Sequence, residues 1–280
     1  MRRFLPLMLL LSFFTVGVKA QLLYKISGNG LEKPSYVVGI DRLINPQGVV
    51  QGISGIKEAM IATDQMYFET SPDSLSYLEA AYKMPAGKTL KTVLTPAQYA
   101  SLNAFLKKYE GVGLESPHVQ KRYGALSPLG LRAEMEKMLF VANHMSEYDP
   151  THTFNEYFAA QARANKEPIY GLTPISALTA RLKAISMPRQ AEMLNELVTH
   201  ADACVGRLDK MAAAFDKQDV NALSEAAQPD ATTCADIAAW ASLMPEVMKK
   251  APTLFVVEAG KLGGSKGLLK LLRDKGFTVE

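Results

Sequence analysis

Two short apolar runs, one near each end of the chain, constrain the fold more than any other feature. Pro34-Ser35-Tyr36-Val37-Val38-Gly39-Ile40-Asp41-Arg42-Leu43 reads as a buried strand that ends at a glycine and then turns. Tyr36, Val37 and Val38 suit a pleated, packed surface. Pro34 stands at the entry, where a missing N–H costs little. Gly39 lets the chain break away at the strand end without a Cβ penalty. Thr253-Leu254-Phe255-Val256-Val257-Glu258-Ala259-Gly260-Lys261-Leu262 has the same shape: a hydrophobic run, small residues, a cation, then Leu. Both runs fit ordinary core strands with turns. They also fit the two halves of one site, because residues just past a strand end point into the cleft there.

The remaining elements fall around this pair. Leu22–Ser27 reads as a strand and Gly28-Asn29-Gly30 as a turn, so the first two strands form an antiparallel pair. Residues 54–62 fit a short helix with Ile56, Ala59 and Met60 on one face, and 66–69 a strand that ends in Glu69. A charge at a buried strand end needs a partner, and Arg42 and Lys261 are the candidates for a structural ion pair. Thr95-Pro96-Ala97-Gln98 has the spacing of a capping box with proline at the first helical position. Further helices are expected over 74–82, from Ser127-Pro128, over 153–164, 219–226, 234–248 and 267–275. One long helix is expected from Ser186-Met187-Pro188 through Met211, and short strands at 168–171 and 277–279. The order is strands, a large helical middle, then strand–helix–strand. That predicts an α/β (α+β) fold: a single domain whose central mixed sheet uses N- and C-terminal strands, with a large helical insertion.

Residues 1–20 do not belong to this fold. Arg2 and Arg3 precede an apolar run, and Val18-Lys19-Ala20 offers small residues at −3 and −1 before Gln21. This is the pattern of a signal peptide, and it predicts an exported, periplasmic chain of residues 21–280 with no membrane span after cleavage. Its loss removes Arg2, Arg3 and Lys19 from 31 basic residues and leaves 28, equal to the 28 acids. A nucleic-acid role thereby loses its electrostatic support. Cys204 and Cys234 are the only cysteines. In an exported chain they are expected to pair, closing a loop for roughly 3 kcal/mol. A metal role for the pair lacks a nearby ligand.

Familiar catalytic patterns are missing. The Gly260–Gly264 stretch lacks the spacing of a phosphate loop, and there is no G-x-S-x-G or H-E-x-x-H. His118, placed in a loop, and His144, His152 and His200 share no ligand spacing and read as surface or helix-end residues.

The chain resembles exported bacterial TraB/GumN proteins. The likeness runs from Leu22–Leu31 and Lys33–Tyr36 through Phe68-Glu69, Gly87–Leu90, Leu126–Pro128 and Ile169–Leu172 to Phe255–Val257 and Gly276–Val279. The family is related to the Tiki metalloproteases and to the ChaN and erythromycin-esterase-like group. The resemblance implies two G-x-x-H motifs, at the two strand ends described above, whose histidines join acids in a divalent-metal hydrolase site. This sequence departs from that pattern. Gly39-Ile40-Asp41-Arg42 carries Arg for His, and Glu258-Ala259-Gly260-Lys261 replaces both Gly and His. Glu69 is retained, while Asn155 stands for a family Asp and Thr173 for a family Glu.

Gly39, Arg42, Glu69, Asn155, Thr173, Glu258 and Lys261 therefore read as a vestigial site with no catalytic role, no metal and no cofactor. Arg stays protonated, and Lys binds metal only after a costly deprotonation. The expected function is that of a binding or scaffold protein, with a cleft suited to an anionic ligand and with its partner unnamed. The alternative is an active metal-dependent hydrolase or peptidase with an oxygen-ligand site rebuilt from Asp41, Glu69 and Glu258. A structural partner that uses a helical stripe over 126–145 or 187–212 is a third class.

Overall fold

The computed structural model describes residues 20–280, so the expected leader, apart from Ala20, lies outside the described residues. Six strands form one mixed sheet: β1 (Leu23–Ser27), β2 (Ser35–Ile40), β3 (Gln65–Phe68), β4 (Ile169–Gly171), β5 (Thr253–Glu258) and β6 (Thr278–Val279). Their order across the sheet is β4-β3-β5-β2-β1-β6. β2, β5, β3 and β4 run parallel, whereas β1 lies antiparallel to both β2 and β6.

β5 sits between β2 and β3, with Val38 and Phe68 both opposite Val256. Leu254, Phe255, Val256 and Val257 are all buried. An unbroken apolar run is what a parallel strand needs when helices cover both faces. The one polar residue at its start is satisfied. Thr253 N–H donates to Ser35 Oγ at 3.0 Å, and the Thr253 hydroxyl donates to Ala251 O at 2.8 Å.

The helices are α1 (Ile56–Ala62), α2 (Leu75–Ala81), α3 (Leu90–Val93), α4 (Pro96–Tyr109), α5 (Pro117–Tyr123), α6 (Pro128–His144), α7 (Phe154–Asn165), α8 (Ile175–Ala184), α9 (Met187–Thr199), α10 (Ala201–Asp216), α11 (Val220–Ala227), α12 (Ala231–Lys250) and α13 (Leu268–Asp274). All but α1 and α13 lie between β3 and β5, with β4 embedded among them. The capping box of α4 is formed: Thr95 Oγ1 accepts Gln98 N–H at 3.3 Å and Gln98 Oε1 accepts Thr95 N–H at 2.9 Å.

Four expectations are corrected. The helix from Met187 is not continuous but breaks at His200, where ψ is 32°. Thr199 Oγ1 donates to Asn195 O at 2.7 Å, and the His200 ring lies 2.9 Å from Glu196 O. Side chains thus engage the carbonyls of the last turn, and α9 ends there. His118 is not in a loop but in the first turn of α5, behind the same Ser-Pro start that opens α6. Cys204 and Cys234 are free thiols rather than a disulfide. They sit on α10 and α12 and face different neighbours: Arg207 Nη2 lies 3.5 Å from Cys204 Sγ, and Cys234 Sγ lies 3.7 Å from Pro229 O.

Gly39 has a different role from the one expected. It lies within β2, opposite Val257, rather than at a break. A Cβ there would stand 2.9 Å from Leu262 Cδ1 and 3.0 Å from Ala259 Cβ, so the missing side chain lets the turn after β5 lie against β2. Gly39→Ala should cost about 1–3 kcal/mol by overpacking. Gly52→Ala has nothing within 4 Å to meet and should stay within about 0.5 kcal/mol of wild type. Urea unfolding of the two variants checks this, and equal stabilities would refute the packing role of Gly39.

Candidate functional site

The four parallel strands end on one edge of the sheet, the edge where open α/β sheets place their ligands. Asp41 and Arg42 follow β2, Glu69 follows β3, Thr173 follows β4, and Glu258 ends β5. A 3-10 turn over Ala259–Lys261 then brings Lys261 back over that edge. The turn packs on α11, and Gly260 leaves room for it: a Cβ there would lie 2.8 Å from Ala227 Cβ.

Lys261 is the hub of the first ion cluster. Its ammonium forms a short ion pair with Glu69 Oε2 and lies 3.1 Å from Glu258 Oε2. Glu69 Oε1 accepts the backbone N–H of Glu258 at 2.9 Å. The Trp240 ring centroid is 5.4 Å from Lys261 Nζ, a cation–π distance. Trp240 Nε1–H donates to Thr173 Oγ1 at 2.8 Å, and Thr173 N–H donates to Glu69 O at 2.9 Å. Burial pulls the Lys261 pKa down, but Glu258 and Glu69 outweigh it, so the ammonium stays protonated. Burial pushes the Glu69 carboxyl up; Lys261 pulls against it and Glu258 adds to the push. Glu258 ends below its ordinary range, because Lys261 and Arg42 overcome its burial.

Arg42 does not pair with Glu69. Its Nη2 donates to Glu136 Oε2 at 2.6 Å, and its Nε lies 3.9 Å from Glu258 Oε1. Arg207, from α10, donates through Nη2 to Glu136 Oε1 at 2.6 Å. The Glu136 side chain is only 7% exposed. Burial alone would raise its pKa, yet Arg42, Arg207 and Arg132 hold it down to about 2. Asp41 caps the turn after β2: its Oδ1 accepts Leu43 N–H at 2.8 Å and Ile44 N–H at 3.3 Å. A cleft of about 520 Å³ opens over both clusters, with Phe140 and Met211 as its apolar wall.

Arg42, Glu69, Thr173, Glu258 and Lys261 stand along this edge, while Gly39 lies within β2. Asn155, on α7, shares no side-chain hydrogen bond with this cluster. The histidines lie elsewhere. His144 bridges Glu147 and Asp209, His152 contacts Asp149, His118 approaches Glu110, and His200 stays on its own helix. The donor set does not fit a divalent ion. Among the described residues no three His, Cys, Asp or Glu side chains stand where they could share one.

The sequence matches the TraB/PrgY/gumN family over residues 22–280. The chain belongs to that family. No curated protein and no solved structure matches it. In this TraB/PrgY/gumN chain the residues that sequence reasoning missed are Glu136, Arg207, Arg132 and Trp240. All four come from the helical insertion. One signal was available: Glu136 falls between Met135 and Leu139 on the buried stripe of α6, where a carboxylate needs a partner.

Glu136 has a folded pKa below its unfolded value, so its contribution is present above about pH 4.5 and is lost as pH falls toward 2. That contribution amounts to roughly 3 kcal/mol at neutral pH. Glu136→Gln should be less stable at neutral pH and show a flatter acid limb in urea unfolding; an unchanged acid limb refutes this. Lys261→Met should cost about 3 kcal/mol at neutral pH, because it leaves two acids without their cation. Their folded pKa values then rise above the unfolded ones, so the variant should gain stability relative to wild type as pH is lowered. Thermal melts across that range check the sign.

Proposed function

We propose that this chain is an exported TraB/PrgY/gumN protein that has given up metal-dependent hydrolysis and uses its strand-end cleft to bind. The observation that carries the proposal is the place of the Lys261 ammonium. It stands between Glu69 and Glu258, the two carboxylates that a hydrolytic ion at this edge would have to share. A fixed cation there repels a second one and satisfies both acids without it. Arg42, at the position of the other motif histidine, is committed to Glu136 and offers no lone pair. Export rests on the leader pattern of residues 1–20. None of the described helices is long and apolar enough to cross a membrane.

The competing possibility, an oxygen-ligand site for Mg or Ca, would draw on Asp41, Glu69 and Glu258. Asp41 is already engaged by two backbone N–H groups, and the other two acids hold Lys261. Elemental analysis of residues 21–280, dialysed against mixed divalent ions and then against buffer, separates the two. The expected result is metal far below one ion per chain. A stoichiometric ion, lost in Glu69→Ala, would overturn the proposal and restore hydrolysis as the leading function.

A further inference from the structure

The arginines of the cleft are more numerous than its fold requires. Arg132 stands one helical turn before Glu136 on α6 and lines both the 520 Å³ cleft and a wider groove of about 1090 Å³ between α9, α10 and α11. Among the described residues no carboxylate comes within ion-pair distance of Arg132, and no side-chain hydrogen bond uses it. Arg207 and Arg42 each place a single nitrogen on Glu136. The other terminal nitrogen of Arg207 has only Met211 Sδ, at 3.6 Å, a weak acceptor. A guanidinium has five N–H donors in a planar fork, so most donors of the three arginines have no protein acceptor.

Charge gives the same answer. Glu136, which stays ionised, is shared by Arg42 and Arg207, and Arg42 also faces Glu258 at 3.9 Å. On the strand side, Lys261 is already held by Glu69 and Glu258. The acids Asp41 and Asp230 that also line the cleft already accept backbone N–H groups, and of its cations only Arg132 has no carboxylate partner among the described residues. Beside it, Phe140 and Met211 supply an apolar wall, and the volume is that of a small-molecule site.

We infer that the junction of cleft and groove binds a small molecule with an oxyanion head on an apolar body, the head gripped by Arg132 together with the free donors of Arg207 and Arg42. This rests on the binding role proposed above and names its ligand class. The head is a phosphate monoester or a carboxylate, since both accept from a planar fork.

The test is calorimetric titration of chelator-treated residues 21–280 with phenyl phosphate and, separately, with phenylacetate, which pair the two heads with similar bodies. At least one should bind one-to-one with Kd below about 1 mM. Binding of phenyl phosphate alone assigns a phosphoryl head; comparable binding of both shows that a carboxylate suffices. Arg132→Gln should weaken binding at least about tenfold, the effect of one charge-assisted hydrogen bond. Its melting temperature should fall only slightly, because Arg132 makes no hydrogen bond or ion pair and acts on the fold only through its charge near Glu136. Arg132→Lys, which keeps the charge and loses the fork, should be weakened less. The inference is overturned if neither probe binds the metal-free chain, or if Arg132→Gln binds as wild type does. That failure is distinct from a stoichiometric metal ion, which would defeat the loss of the metal site whatever the anions do.

Discussion

Charge taken out of water must be matched where it lies, and this requirement organises the C-terminal edge of the sheet. Lys261 answers Glu69 and Glu258, while Arg42 and Arg207 answer Glu136. Glu258 also faces Arg42 at 3.9 Å, so the two clusters form one chain of alternating sign. That chain ties the ends of β2, β3 and β5 to α6 and α10. Apolar packing brings these elements together without direction; the ion pairs fix which residue of α6 stands over which strand end.

The helical insertion is accordingly part of the site rather than its cover. Thr173 and Trp240 close one side by a hydrogen bond and a cation–π contact, and Glu136 and Arg207 close the other.

Much of this was legible in the amino-acid order because its causes are local. An unbroken apolar run marks β5, and Thr95, Pro96 and Gln98 mark the start of α4 through bonds within one turn. Two strand ends of like shape left ordinary core turns and a shared site both open, and the resemblance to TraB/GumN proteins pointed to the second. What was not legible has tertiary causes. The three- and four-residue spacing of apolar residues runs through His200 without interruption, because each half-helix buries its own stripe. The partner of Glu136 arrives from another helix, and no local pattern announces Arg207. Two cysteines behind a leader-like N-terminal pattern invite a bond, but a bond needs facing Cβ vectors, which only the packing of α10 and α12 decides. The need for Gly39 arises from Leu262 and Ala259, more than two hundred positions away in the chain.

The place of β5 bears on how the chain is made. It is flanked by β2 and β3, yet it follows twelve of the thirteen described helices. Until residues 253–258 leave the ribosome, β2 and β3 each have a bare edge of unpaired N–H and C=O groups toward the gap. The pairings that close the sheet are among the most distant in the sequence, and such contacts form slowly. A nascent chain of this topology can collect helices but cannot complete its sheet, so it remains threadable almost to its last residues. Any product that stops short of Thr253 has no central strand and lacks three of the five ion pairs at the sheet edge, and it presents open edges to proteases and to other chains.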